Sequence, residues 1–157
     1  MLKKKYNTSF ILYGIAITFK LQAIFLLPAL GIIYLKNRDF SFIKFLWVPL
    51  VNFILYVPAI IIGKPITSFI DAYICQTKKY AYKTTLGYPN IYYFFDIDRV
   101  ELIKPGIILT MILLFSLMIF VLYRKDRLSD KDIIELSVTV LFLVTFFLPE
   151  MHDRYAY

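Results

Sequence analysis

The chain has 157 residues, of which 60% are hydrophobic, and its mean hydropathy is +0.68. The apolar residues form long runs separated by short polar stretches, which excludes a soluble globular domain and predicts an integral membrane protein. The net charge of +7 fits basic cytoplasmic loops that attract anionic lipid headgroups; because the basic residues are dispersed and accompany no nucleic-acid motif, we expect no nucleic-acid partner.

Four apolar regions follow one another along the chain, at about 9–35, 42–62, 105–123 and 133–149. A helix needs about 20 residues to cross the hydrocarbon core of a bilayer, so the second and third regions are long enough and the fourth is slightly short. We therefore predict an all-α fold, a polytopic transmembrane helical bundle that forms a single domain over residues 1–157.

Lysine and arginine in the short loops predict the orientation. The basic loop at 124–131 is the clearest cytoplasmic segment, so the third and fourth regions form a hairpin through it. The basic residues at 36–44 place the start of the second region on the same side. The loop at 63–104 and the segment 149–157 are then expected together on the outer face.

The first region has basic residues at both ends, Lys3–Lys5 before it and Lys36 after it. A single crossing would put one of these clusters outside. A pair of short helices, Ser9–Phe19 and Ala23–Leu35, keeps both inside, and one long kinked helix is the alternative. In the helix pair, the turn at Lys20-Leu21-Gln22 points outward into a protein-lined cavity, where a membrane protein tolerates non-helical backbone.

One stretch of the outer loop has helical periodicity. Its apolar residues recur at i, i+3, i+4, i+7 and i+8 and form one stripe on a helix: Ile66, Phe69, Ile70, Tyr73 and Ile74. An amphipathic helix beside a membrane span usually lies in the interface, so we expect an interfacial helix here. A turn signal follows at Gly87–Asn90.

Lys20 is the first candidate for chemistry, because it interrupts an apolar stretch and an ionisable residue at membrane depth is costly. It is either a snorkelling lysine at an interface or a cation that faces a polar cavity and receives a lipid-linked phosphate. Gln22 lies on the same turn.

The second candidate is the polar run Glu150–Tyr155, which contains the only histidine, His152. This run is either a wet helix terminus or a site in which His152 and Arg154 donate hydrogen bonds to a phosphate. Asp153 would then orient His152 or pair with Arg154. We predict that Lys20, His152 and Arg154 line one cavity on the outer side.

No metal site or cofactor is expected. Cys75 is the only cysteine, which excludes an internal disulfide and any cysteine-based metal spacing. The acidic residues Asp96, Asp98 and Glu101 are interpreted as a solvated loop rather than a metal site. The sequence contains no Ser-His-Asp arrangement, phosphate loop or zinc motif.

Three passages of the sequence carry a resemblance to a known family. Phe19–Ala23, followed by Leu26-Leu27-Pro28, is similar to a Lys-Pro-Gln-Ala turn before an apolar Leu-Leu-Pro helix. Tyr73–Gln76, followed by Tyr88–Tyr92, is similar to Tyr-x-x-Gln followed by Asn-Ala-Pro-Asn-x-Tyr. The most specific passage, Phe147–Tyr155, is close to Leu-Pro-x-Met-His-Glu-Arg-Tyr. In this order the passages resemble the polytopic GT-C glycosyltransferases, among them the bacterial mannosyltransferase-like proteins related to the GPI mannosyltransferases.

The chain departs from that family at several points. Leu21 stands in place of the usual proline, Asp153 in place of glutamate, and Gly87-Tyr88 in place of Asn-Ala. Family members are typically more than twice as long, with a catalytic carboxylate in a first outer loop upstream of anything present here. We therefore expect a partial chain: a fragment, a split gene product or a truncated reading frame.

The resemblance implies transfer of a sugar from a polyprenyl-phosphate-linked donor to an acceptor at the outer face of the cell membrane. A carboxylate base, not identified here, would activate the acceptor hydroxyl, and basic groups would stabilise the leaving phosphate. The missing N-terminal half is a possible partner chain. The alternative is a non-catalytic polyprenyl-lipid transporter or flippase-like subunit, or an inactive remnant. The residues expected to bind the substrate or its lipid phosphate are Lys20, Gln22, Asn90, His152, Asp153, Arg154 and Tyr155.

Overall fold

The computed structural model describes residues 4–68, 71, 84–95 and 100–153, and this part of the chain is mostly helical. Two strands of two residues, β1 (Thr85–Leu86) and β2 (Met151–His152), accompany the helices. The helical fold class is confirmed, whereas the strand pair is an addition that periodicity did not predict. The α-helices are α1 (Tyr6–Phe19), α2 (Leu27–Asn37), α3 (Trp47–Ile61), α4 (Ile91–Phe94), α5 (Ile103–Tyr123) and α6 (Asp130–Phe147); short 3-10 helices (Leu21–Leu26, Phe42–Leu46 and Val100–Leu102) precede α2, α3 and α5.

The chain divides into two compact units. The first consists of Met1–Ile24 and Arg38–Lys79 and contains α1 and α3. The second consists of Phe25–Asn37 and Tyr80–Tyr157 and contains α2, α5, α6 and both strands.

Two helical segments are long and apolar enough to cross a membrane, Phe42–Ile61 and Val100–Tyr123. They contain 20 and 24 residues with mean hydropathies of 1.8 and 2.6, and they coincide with the predicted second and third regions. Large apolar side chains on both are exposed, including Ile54, Phe115 and Phe120. The core helix of a soluble domain would cover such side chains, so their exposure favours lipid as the surroundings.

The predicted fourth region forms α6, but this helix begins three residues before the predicted start at Ile133. Ser129 caps it with a capping box: the Ser129 hydroxyl accepts from the Asp132 backbone N–H at 3.3 Å, and the Asp132 carboxylate accepts from the Ser129 N–H at 2.9 Å. The extra turn brings Asp130, Lys131 and Asp132 into the helix, which also contains Glu135. With these four charged residues, α6 is not one of the two candidate spans.

The first apolar region consists of two helices with a break at Lys20. Lys20 has an extended backbone, with φ −147° and ψ 110°, and ends α1. The Tyr13 hydroxyl donates to the Ala23 carbonyl at 3.0 Å and ties the turn to α1. Pro28 lies in the first turn of α2, where a helix does not use its N–H groups. The structure therefore divides the first region into two helices, α1 and α2; the predicted helix pair and its crossing of a membrane stay predictions.

In the first unit, α1 and α3 pack closely around Asn52, which is 4% exposed. The Asn52 amide donates to the Val48 carbonyl at 2.7 Å and to the Gly14 carbonyl of α1 at 3.2 Å. Its Oδ1 accepts from the Thr18 hydroxyl at 2.9 Å. A Cβ on Gly14 would lie 3.0 Å from the Val51 Cβ, so glycine permits the close approach of the two helices.

In the second unit, α2, α5 and α6 contact one another, and basic residues gather at one end of the unit. Lys36 donates to the backbone carbonyls of Leu122, at 3.3 Å, and of Arg124. The Asn37 side-chain Nδ2 donates to the Leu128 carbonyl at 3.1 Å, and the Asn37 Oδ1 accepts from the Leu128 backbone N–H at 2.9 Å. The end of α2 is thereby fixed to the loop between α5 and α6.

We expect the stability of the first turn of α6 to depend on pH. The Ser129 hydroxyl and backbone N–H, together with Arg124 at 3.2 Å, hold the pKa of the Asp132 carboxyl below its ordinary value. A carboxylate with a lowered pKa stabilises the fold above its ordinary pKa, and that contribution is lost as the pH falls through the lowered value. The capping box therefore contributes to the stability of the fold at neutral pH.

The predicted orientation can be tested at the two ends of α5. In a Cys75→Ser background, we expect Glu101→Cys to react with a membrane-impermeant maleimide from outside intact cells, and Asp126→Cys to react only after permeabilisation. Both side chains are exposed, and neither takes part in the Ser129 cap. Outside labelling of position 126 would contradict the orientation.

The predicted amphipathic helix at 66–76 lies largely outside the described residues. Thr67, Ser68 and Asp71 are helical, and the rest of its apolar stripe beyond Ile66 is not described. The interfacial helix stays a prediction.

Candidate functional site

The segment before α4 meets the segment after α6. β1 and β2 pair in parallel, with Thr85 opposite Met151 and Leu86 opposite His152. The Glu150 backbone N–H donates to the Thr84 carbonyl at 2.8 Å, and Gly87 forms a further bridge with His152. Two passages more than sixty positions apart in the printed sequence thus form one element, which we call the loop–terminus junction (residues 84–87 and 150–153).

Tyr92 fixes α4 to the ends of α5 and α6. Its hydroxyl donates to the Phe147 carbonyl at 3.0 Å, and the side chain is buried. Burial raises the pKa of the Tyr92 hydroxyl above its ordinary value, so the hydroxyl stays protonated and remains a donor. Gly106, in the first turn of α5, makes room for it: a Cβ there would collide with the Tyr92 hydroxyl and lie 3.2 Å from Pro149 Cδ.

His152 and Asp153 contact each other at the junction, through the imidazole Nδ1 and a carboxylate oxygen. His152 is half-buried and Asp153 is exposed. A carboxylate on Nδ1 fixes the orientation of an imidazole and keeps the proton on Nδ1. This contact is compatible with the predicted role of Asp153 in orienting His152; Arg154, the other predicted partner of Asp153, lies outside the described residues.

Glu150 has a left-handed backbone, with φ +62°. A non-glycine residue in this region carries strain, and such residues cluster at functional sites. Burial also raises the pKa of the Glu150 carboxyl above its ordinary value, so this group takes up a proton more readily than a solvated glutamate. Sequence reasoning did not assign Glu150 a role, because no spacing rule signals a strained backbone.

Asn90 is fully buried just after β1. Its Oδ1 accepts from the Tyr93 backbone N–H at 3.1 Å and caps α4, and its own N–H donates to the Tyr88 carbonyl at 2.8 Å. The side-chain Nδ2 has no hydrogen-bond partner among the described residues. Asn90 is thus both a structural cap and a source of one unused donor.

The structure places the remaining predicted residues as follows. Lys20 and Gln22 belong to the first unit, where Lys20 is exposed and Gln22 is half-buried. Asn90, His152 and Asp153 belong to the second unit. Arg154 and Tyr155 lie outside the described residues, and the predicted convergence of Lys20 with His152 and Arg154 stays a prediction.

Within residues 4–68, 71, 84–95 and 100–153, no group of three or more His, Cys, Asp and Glu side chains is arranged to hold a metal ion. Of the acidic loop residues, Asp96 and Asp98 are outside the described part of the chain.

The chemistry available at the junction is therefore hydrogen bonding and proton transfer. An oriented histidine, a carboxyl group with a raised pKa and a buried amide donor lie on the segments that meet there. The chain matches no protein-family model, no curated protein and no solved structure.

Proposed function

We propose that this chain is a multi-pass membrane protein and part of a GT-C-type glycosyltransferase, which transfers a sugar from a polyprenyl-phosphate-linked donor at the outer membrane face. The observation that carries the proposal is the loop–terminus junction. Two of the passages that resemble the family, Tyr88–Tyr92 and Phe147–Tyr155, flank or enter this junction. A common substrate site is a physical reason for two distant passages to meet.

The distribution of charge supports an outer location for the junction. α5 has 21 residues, which at about 1.5 Å per residue corresponds to about 32 Å, close to the roughly 30 Å hydrocarbon core of a bilayer. The basic loop follows the end of α5, whereas Gly106 and the Tyr92 anchor lie at its start. With the basic loop in the cytoplasm, the junction is at the outer interface.

In the proposed reaction, the acceptor hydroxyl attacks the anomeric carbon of the sugar. The bond from that carbon to the phosphate oxygen breaks, the phosphate keeps the electron pair, and a base takes the hydroxyl proton. With its Nδ1–H held by Asp153, the doubly protonated His152 ring would donate from Nε2–H to the leaving phosphate and stabilise its charge. By resemblance, Lys20, Gln22, Arg154 and Tyr155 are further predicted phosphate ligands, and the base is left unassigned.

Replacing His152 with phenylalanine tests this role, because the ring shape is kept and both nitrogen donors are removed. We expect the His152→Phe variant, in nanodiscs of neutral phospholipid, to bind undecaprenyl phosphate at least tenfold more weakly than the wild type. The reason is that one hydrogen bond to a charged group contributes about 1.5–3 kcal/mol, and about 1.4 kcal/mol corresponds to tenfold in affinity. Native mass spectrometry of the retained lipid measures the change.

Lys125→Gln is the matched control, since it removes a positive charge from the opposite end of α5. It should leave the affinity unchanged. The proposal fails if the wild type binds uncharged undecaprenol as tightly as undecaprenyl phosphate, because the phosphate would then not be recognised.

A further inference from the structure

The unused donor of Asn90 is the feature of the described chain that its own contacts leave unexplained. The side chain is 0% exposed, and its Nδ2 has no acceptor among the described residues. Native proteins rarely bury a donor in this way, because the group loses its water and gains nothing in return.

The orientation of the amide follows from its surroundings. Oδ1 accepts from the Tyr93 N–H at 3.1 Å. Turning the amide by half a turn would place Nδ2 against that N–H, two donors would face each other, and the cap on α4 would be lost. Nδ2 therefore cannot be satisfied by a simple flip.

The cap alone does not account for asparagine at this position. Serine or aspartate caps a helix as well as asparagine, and neither brings a spare amide donor. Removing the donor would relieve the burial cost and keep the cap. The Asn90 amide is thus explained by a partner that accepts a hydrogen bond.

The position of Asn90 indicates what that partner is. The turn Gly87–Asn90 links it directly to the junction, where Gly87 pairs with His152. We infer that the Asn90 Nδ2 donates a hydrogen bond to an oxygen of a bound phosphate-bearing ligand; this inference deepens the proposed function and rests on it. Because the amide is sealed from solvent, the structure around Asn90 must open locally to admit the ligand.

The Asn90→Ser variant tests the inference, because serine keeps the cap acceptor for the Tyr93 N–H and removes Nδ2. In neutral-lipid nanodiscs, we expect it to bind undecaprenyl phosphate about tenfold more weakly than the wild type, the change given by one lost hydrogen bond to a charged group. Its thermal midpoint without ligand should be equal or higher. Inorganic phosphate serves as a second probe.

A spectroscopic measurement supplies a readout that a purely structural role would not change. The chain contains four asparagines, so selective ¹⁵N labelling gives four side-chain amide signals, and Asn90→Ser identifies the signal of Asn90. We expect that signal to shift when undecaprenyl phosphate is added, while the signal of Asn52 in the first unit stays in place.

The outcomes separate this inference from the proposed function. Unchanged affinity in Asn90→Ser, with no shift of the Asn90 signal, overturns the inference and leaves a buried water as the partner. A loss of binding in His152→Phe would still support the proposed function. If the wild type binds inorganic phosphate through Asn90 but not undecaprenyl phosphate, the phosphate contact stands and the proposed lipid substrate fails. Failure to bind either probe overturns both.

Discussion

Replacing Gly106 with alanine is expected to detach α4 and the junction from the ends of α5 and α6. Alanine normally favours a helix over glycine by about 1 kcal/mol. Here its Cβ would collide with the Tyr92 hydroxyl and lie 3.0 Å from the Tyr92 ring carbon Cζ. Overpacking of this kind costs about 1–3 kcal/mol. We expect a lower midpoint of thermal unfolding in detergent and faster proteolysis within residues 84–92.

Gly31→Ala is the matched control for Gly106→Ala. Gly31 lies within α2, and no atom lies within 4 Å of an added Cβ, so this variant should be neutral or slightly stabilised. Equal thermal midpoints and proteolysis rates in the two variants would show that the structure has room for a Cβ at Gly106.

A double substitution identifies the group that the alanine meets. In a Tyr92→Phe background the hydroxyl is absent, so Gly106→Ala should lower the midpoint of thermal unfolding by less than it does in the wild type. If the two effects simply add, Tyr92 is not the obstacle, and Pro149 is the remaining neighbour.

Replacing Asn52 with leucine is expected to loosen α1 from α3. The substitution removes the bond to the Gly14 carbonyl and the acceptor of the Thr18 hydroxyl. Hydrogen bonds between membrane helices contribute about 0.6–2 kcal/mol each, and the larger leucine adds strain at a crossing that Gly14 keeps narrow. Crosslinking between cysteines placed on α1 and α3, in a Cys75→Ser background, should decrease.

Thr18→Val provides the partner for this test. Thr18 and Asn52 share one hydrogen bond. The decrease in crosslinking in the double variant should therefore be smaller than the sum of the decreases in the two single variants. Strictly additive losses would mean that the two side chains act independently.

The helical regions could be predicted because long apolar runs with proline near their starts leave few alternatives. Pro28 and Pro105 both lie in the first turn of their helices, as the missing N–H of proline allows. The start of α6 was predicted three residues late, because Asp130 and Asp132 resemble loop residues until Ser129 is recognised as their cap. At these positions the charge pattern indicates a loop, whereas the cap indicates a helix.

The candidate site was only partly predictable. His152 and Asn90 were identified from polarity and resemblance, and the structure adds the partners that orient them. The junction itself was missed, because a parallel pairing of two residues per strand has no periodicity that a sequence can reveal. The roles of Gly106 and Tyr92 depend on a contact between distant segments, which no local pattern encodes.

During synthesis, α5 leaves the ribosome before α6, and the two differ greatly in their affinity for lipid. α5 lies within the candidate span of higher mean hydropathy, whereas the first six residues of α6 include Asp130, Lys131, Asp132 and Glu135. Charged residues make insertion of α6 alone costly. Lys131 pairs with Glu135 at 3.5 Å, and Asp132 pairs with Arg124 at 3.2 Å, so the charges are partly neutralised within the hairpin. Under the proposed multi-pass topology, α5 would thus carry α6 into the bilayer as a helical hairpin, with the Ser129 cap at the membrane surface.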